Sequence, residues 1–211
     1  MPKEPAKREL KQERAARTRV DILEAAITLF ARRGFLATTM ADLARAIHMT
    51  PGALYWHFPT KEDLLLAAIE ELHERYLKAF EDLLAAPASG SARERLQAFT
   101  HRTHAFLKEH REYGIFFGML AAEAADANER VAEAIRDKLG LYAKALEGLL
   151  QQGRRAGELR QDLDAARTAH AVLGAFLGML MHQNLFRATL DDDPLAAALD
   201  SLLEGGLLPR S

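Results

Sequence analysis

Residues 38–61, TTMADLARAIHMTPGALYWHFPTK, restrict what this chain can fold into more than any other segment. Three helix starts fall within them. Thr39 is followed three positions later by Asp42, the spacing of a capping box in which side chain and backbone bond reciprocally. Leu43, Ala44 and Ile47 then recur at helical spacing and form one apolar stripe. His48 and Met49 make a turn, Thr50 caps again, and Pro51 stands at a first helical position, where a missing N–H costs nothing. Phe58-Pro59 closes this second helix, and Thr60 with Asp63 opens a third capping box. The segment predicts a helix-turn-helix whose second helix is apolar within and carries Tyr55, Trp56 and His57 outward, as a reader of the DNA major groove requires.

The matching elements extend on both sides: Thr18-Arg19, Ile22-Leu23, Ala25-Ala26, Leu29-Phe30, Gly34-Phe35, Thr38-Thr39, Leu43-Ala44, Gly52 through Phe58, Lys61-Glu62 and Leu64. In this order and spacing they resemble the TetR family of one-component transcriptional regulators. With residues 157–164 the likeness is greatest to that family's repressors of multidrug efflux pumps, the AcrR type. The resemblance implies an all-α fold of about nine helices. Residues 1–60 would form a basic arm and a three-helix DNA-binding domain, and residues 61–211 a helical domain for ligand binding and dimerisation. Carried over position by position, Tyr55, His57 and Lys61 match the family's contacts to the DNA backbone, with Thr39 and Thr50 also facing phosphates. Pro51, Gly52, Ala53 and Trp56 would meet base edges or the groove wall. Pro51 and Ala53 stand where relatives often carry polar base-reading side chains, so apolar contact with thymine methyls and DNA shape take a larger share here.

Charge supports the same division. Residues 1–61 hold 11 Lys/Arg against 6 Asp/Glu, net +5, and residues 62–211 hold 17 against 24, net −7. Seven of the basic residues lie between positions 3 and 19, either a solvated helix end or an arm on phosphates. Apolar residues make up 49% of the chain, Ala and Leu dominate, and clusters of strand-forming residues are nearly absent. With no cysteine there is no disulfide framework and no thiolate metal site. The charged N-terminus is unlike a signal peptide and no window is apolar enough to span a membrane, so a cytoplasmic protein is expected.

Downstream, Gly34 ends a helix running from about Leu10 to Arg33, and a long helix carries Leu64, Ala68, Leu72 and Leu83 towards Ala86. Residues 87–90 break the chain, and Ser91 with Glu94 caps the next helix to about His110. An apolar segment, residues 113–125, precedes a long helix from Asn128 to Ala156 that Gly157 stops. Asp164 caps a helix to Arg187, and Asp193-Pro194 opens a last one ending at Gly205-Gly206.

In the last two helices Ala169, Val172, Leu173, Phe176, Leu177 and Leu180 cover most of one circumference, with Gly174 and Gly178 as a ridge of small residues. Such a helix is buried, in the core or against a second chain. The resemblance favours a homodimer held by a four-helix bundle that includes Leu173, Gly174, Leu177, Gly178, Leu199 and Leu202, and a two-fold dimer reads a palindromic operator. In the middle of the chain, Phe106, Phe116, Met119, Tyr142, Phe176 and Met179, with Glu123 as a polar group, are core residues or the lining of a cavity for a hydrophobic, aromatic effector. A long acyl chain or acyl-CoA is the alternative effector, with Arg102, Lys108 and Arg111 as a cationic mouth for its head group. His101, His104 and His110 share one helix, but no further ligand pattern accompanies them, so neither a metal nor a cofactor is expected. Phosphate loops, dinucleotide fingerprints and nucleophile elbows are missing, which argues against an enzyme. A helical interaction module with a degenerate helix-turn-helix would have lost the Thr39, Tyr55, His57 and Lys61 set, which is intact.

Overall fold

The computed structural model describes residues 4–85, 90–186 and 192–208. Among these the chain forms helices α1 (Glu4–Arg33), α2 (Met40–Ala46), α3 (Pro51–His57), α4 (Lys61–Ala85), α5 (Ala92–Glu109), α6 (Arg111–Ala127), α7 (Glu129–Arg155), α8 (Ala165–Phe186) and α9 (Asp192–Leu207), and no strand.

Local chemistry places most of these boundaries. Thr39 Oγ1 accepts the Asp42 N–H at 3.1 Å while Asp42 accepts the Thr39 N–H at 3.1 Å, closing the expected capping box. Ser91 and Glu94 repeat it at α5. At α4 the Asp63 N–H reaches Thr60 Oγ1 at 3.0 Å, and the hydroxyl answers by donating to Asp63 Oδ2 at 2.8 Å. Asn128 caps α7, and Asp164 accepts the Arg167 N–H near the start of α8. Gly34 and Gly157 adopt φ of +81° and +74°, the left-handed conformation that ends a helix cheaply only at glycine.

Three boundaries differ from expectation. The first helix begins at Glu4 rather than near Leu10. The apolar segment after His110 is a full helix from Arg111 to Ala127. Gly205-Gly206 does not end α9, which continues to Leu207, because the Leu207 carbonyl accepts the Arg160 N–H and fastens that turn to the α7–α8 connection. Expectations placed on residues 86–89, on Arg187 and on the side chains of Leu83 and Ala125 lie outside the described residues and side chains.

The hydrophobic core has two parts that do not divide at residue 60. One runs from Ile22, Phe30, Leu43 and Leu54 through Leu64, Ile69 and Leu72 to Phe116, Leu120, Val131 and Ile135, joining α1–α4 to α6 and the first half of α7. The other joins Leu96, Leu146, Leu150, Val172, Phe176 and Leu207. The helix-turn-helix therefore shares its core with α6 and α7. Polar ties reinforce the junction: the Asn128 side-chain amide donates to Glu62, and Arg130 reaches Asp63 at 3.3 Å, holding the start of α7 against the start of α4.

Candidate nucleic-acid interface and ligand cavities

Helix α3 is fixed from behind by Leu54, wholly buried, whose truncation to alanine would cost about 2–5 kcal/mol. Its N-terminus is capped by Thr50 Oγ1, which accepts the Ala53 N–H at 3.3 Å. Around that anchor Pro51 and Gly52 are exposed and Ala53 and His57 half-buried. Tyr55 is 49% and Trp56 75% exposed, although aromatic rings of that size are usually covered. Trp56 stands edge-on to His57 with ring centroids 4.8 Å apart. A Cβ on Gly52 would meet nothing within 4 Å, so the chain's own packing does not require glycine there. His48, in the turn before α3, has φ +56°, a conformation that strains a residue with a side chain.

Thr39 and Lys61 are occupied within the chain. Thr39 Oγ1 donates to Asp42 Oδ2 at 2.6 Å, and this bond with that of the Thr39 backbone holds the Asp42 carboxyl below the usual carboxylate range. Lys61 Nζ donates to the carbonyls of Phe35 at 2.8 Å and Thr38 at 2.9 Å, and lies 4.2 Å from the Phe35 ring centroid. Burial lowers the Lys61 pKa, opposed by the nearby Glu123 carboxylate. Lys61 thus fixes the α1–α2 turn, with one N–H direction left for an outside acceptor.

The proposed ligand residues separate. Phe106, Tyr142 and Phe176 line an inner chamber of about 80 Å³, together with Leu72 and Tyr76 of α4, Thr103 of α5 and Tyr113 and Phe117 of α6. Phe116 is fully buried and packs on Phe30 at 6.4 Å, in the shared core rather than on the chamber. Met119 lines neither this chamber nor the larger cavity described below. Glu123 is elsewhere: its Oε2 accepts the N–H groups of Phe35 at 2.8 Å and Leu36 at 3.2 Å, and a Cβ on Gly34 would overlap its other oxygen. Sequence spacing gave no sign of this, because Glu123 and Phe35 are 88 positions apart.

The inner chamber is uncharged. His73 Nδ1 and the Tyr142 hydroxyl are 2.7 Å apart, and the Tyr142 and Tyr76 rings are 4.6 Å apart. Burial pushes Tyr76 up to about 12, against a hydrogen bond with Thr103, and raises Tyr142 as well. Burial, aided by the Lys138 charge, lowers His73 and favours neutral imidazole. Beside the chamber Tyr113 bonds to Arg75 Nη1 at 2.5 Å, and Arg75 also pairs with Glu24 of α1 and Glu71 of α4. Burial works against the Arg75 charge, but these three partners outweigh it and raise its pKa. A wall of the chamber is therefore wired to α1. His73, Tyr76 and Tyr113 escaped the sequence reading; the recurrence of Leu72 and Tyr76 on one face of a long helix was the available signal.

A larger cavity of about 450 Å³ lies between α5, α6, α8 and α9 and includes Met179. His101 and His104 approach Asp200 Oδ2 at 3.6 and 3.8 Å, whereas His110 stacks on Tyr113 at 4.9 Å. The three histidines thus do not gather, and no group of three metal-binding side chains occurs among the described residues.

Of the residues expected at a dimer interface, Gly174, Gly178 and Leu202 are exposed. Leu173 and Leu177 are half-buried over the inner chamber, and Leu199 packs on the second core. Met181, Leu185 and Phe186 extend the open apolar face. Among the described residues no helix is long and apolar enough to cross a membrane.

Comparison with known proteins agrees with this architecture. Residues 22–68 match the profile described as "Bacterial regulatory proteins, tetR family", and residues 92–202 match "Tetracyclin repressor-like, C-terminal domain". The chain is 30% identical over 200 residues to the "Probable acrEF/envCD operon repressor" of Escherichia coli (strain K12), covering 88% of this chain and 84% of that one. It is 45% identical over 65 residues to the "HTH-type transcriptional regulator TtgR" of Pseudomonas putida, a match that spans only 31% of either chain. The crystal structure of the transcriptional regulator FadR from Bacillus subtilis in complex with stearoyl-CoA superposes with a TM-score of 0.75 at 21% identity, over 89% of this chain and 98% of that one, a likeness of fold.

Proposed function

The chain belongs to the tetR family of bacterial regulatory proteins, a family of regulators rather than enzymes, and we propose that it is a cytoplasmic repressor that leaves a palindromic operator when a hydrophobic small molecule binds. The observation that carries this reading is the exposure of Tyr55 and Trp56 on a helix anchored by buried Leu54 and capped at both neighbouring helix starts. Such a surface is aromatic, exposed and anchored from behind. In the reading, Thr50, Tyr55 and His57 meet phosphates, with Thr39 and Lys61 contributing beside their internal bonds, and Pro51, Gly52, Ala53 and Trp56 meet the groove.

The effector is read at the inner chamber, where α4 supplies Leu72 and Tyr76. Those residues share one helix with Lys61, about 22 Å away along its axis at Tyr76. A ligand that displaces the chamber face of α4 thereby shifts the turn before α2. In a dimer joined through α8 and α9 this changes the spacing of two α3 helices, which the pitch of DNA fixes near 34 Å. The dimer is supported by Gly174 and Gly178, where an added Cβ would meet nothing within 4 Å among the described residues, so packing inside one protomer does not call for glycine there. Release by a factor of 100 needs about 2.7 kcal/mol of differential binding between the two conformations.

The test is titration of operator DNA with purified protein, first without and then with aromatic drugs or acyl-CoAs. Two-fold-symmetric binding weakened by one class supports the reading. A folded dimer on its operator that responds to neither class leaves DNA binding and removes effector sensing.

A further inference from the structure

We propose that Arg75 is a positioning residue that makes the placement of α1 depend on how the inner chamber is filled. This rests on the effector reading above and adds a second route by which the same site reaches the DNA-binding helices.

The guanidinium joins three helices. Its Nε and Nη2 both meet Glu71 at 2.8 Å, one turn back on α4, which fixes the plane of the group. Nη1 then carries both outward contacts, to the Tyr113 hydroxyl of α6 at 2.5 Å and to Glu24 of α1. A terminal guanidinium nitrogen has two hydrogens in a rigid fork, so both contacts are held at once and the direction of one constrains the other.

Tyr113 ties that cation to the chamber. Its side chain is buried, lines the chamber and stacks on His110 with the ring planes within 7° of each other, so it has a fixed place in that wall. The hydroxyls of Tyr142 and Tyr76 end on neutral groups, His73 and Thr103, whereas that of Tyr113 reaches out to a charge. The chamber, at about 80 Å³, is smaller than the roughly 150 Å³ that admits benzene. An organic effector therefore enters only by displacing wall side chains. Displacement of Tyr113 removes the acceptor of one Nη1 hydrogen and frees the guanidinium to turn away from Glu24.

At the other end, Glu24 stands on α1 beside Leu23 and Ala26, which belong to the core shared with the helix-turn-helix. The contact of Phe30 on Phe116, between α1 and α6, is apolar and non-directional and does not by itself fix the register of the two helices. The Glu24–Arg75–Tyr113 link is charge-assisted and directional, so it sets how α1 lies against α4 and α6.

A mutant cycle on the full-length protein tests the assignment by amide hydrogen exchange, which needs neither ligand nor DNA. Tyr113→Phe removes one hydroxyl and keeps the ring, and Glu24→Ala places a good helix former at a half-buried position. Each should speed exchange across residues 22–28 of α1 about tenfold, relative to residues 169–176 of α8 in the second core. Tyr113→Phe made in the Glu24→Ala background should add nothing, because both changes break one link. Unchanged exchange in α1, additive effects, or a rise shared equally by α1 and α8 overturns the proposal; the last is what a merely stabilising ion pair gives. Operator release by N-phenyl-1-naphthylamine, an uncharged aromatic probe, separates this proposal from the effector reading. If the dye dissociates the wild type, each variant should respond about fivefold less, and undiminished release overturns the role of Arg75. No release of the wild type counts against the effector reading, and the exchange cycle still decides on Arg75.

Discussion

The carboxylate of Glu123, in α6, accepts the backbone N–H of Phe35 at 2.8 Å, and the Phe35 carbonyl accepts Lys61 Nζ at the same distance. One peptide turn is thus held from one side by the helix that walls the inner chamber and from the other by the first residue of α4. The α1–α2 connection is one place where the helix-turn-helix and the helices around the inner chamber meet through polar bonds, beside the core they share. Glu123→Ala should leave the N–H groups of Phe35 and Leu36 without their acceptor and cost about 1–2 kcal/mol. It should also weaken operator binding without touching DNA. Urea denaturation and operator titration measure both; unchanged stability would show that water replaces the carboxylate.

Lys61 holds the α1–α2 turn and, in the proposed reading, also meets a DNA phosphate, and substitution separates it from its neighbours. Lys61→Ala should lower stability by about 1–2 kcal/mol, through the lost bonds to Phe35 and Thr38, and weaken binding to every DNA sequence alike. Tyr55→Phe should weaken DNA binding uniformly at unchanged stability, because its exposed hydroxyl has no structural task in the proposed reading. Loss of sequence discrimination at constant overall affinity would count against these phosphate assignments.

Gly178→Leu should yield a folded monomer. In the isolated protomer a Cβ at Gly178 meets nothing within 4 Å, so the substitution is harmless there, but across a close helix–helix contact it overlaps the partner. Sedimentation velocity distinguishes the outcomes, and an undisturbed dimer places the interface elsewhere.

Stability should fall as pH drops below about 6.5, the ordinary histidine value. Burial holds both His73 and His104 below that value, so between it and their lower folded-state values the unfolded chain binds more protons than the folded one. The neutral rings therefore favour folding above this window, and the advantage is lost as pH falls through it. Thermal melting of the wild type and of H73N/H104N from pH 7.5 to 5 measures the slope, which should be shallower in the variant. Parallel curves would assign the acid sensitivity to other groups.

What the sequence determined by itself is what neighbours along the chain decide. Thr39 with Asp42, Thr50 with Pro51, Ser91 with Glu94 and Gly34 with its left-handed φ act within one helical turn, so their spacing predicts helix starts and stops whatever the surrounding packing. The apolar period gave the faces of the helices in the same way, and the order of motifs gave the family. The use made of those faces was decided only in three dimensions. Phe116 and Tyr113 lie on one helix, three residues apart; one is core against Phe30 and the other borders the inner chamber, because the crossing of α6 over α1 and α8 fixes which side each ring meets. Glu123, Lys61 and Arg75 found long-range partners 23 to 88 residues away, which no spacing along the chain announces. Local hydrogen bonds need only adjacent residues, whereas a cavity or a long-range latch exists only once the rotation and crossing of packed helices are set by all their contacts together.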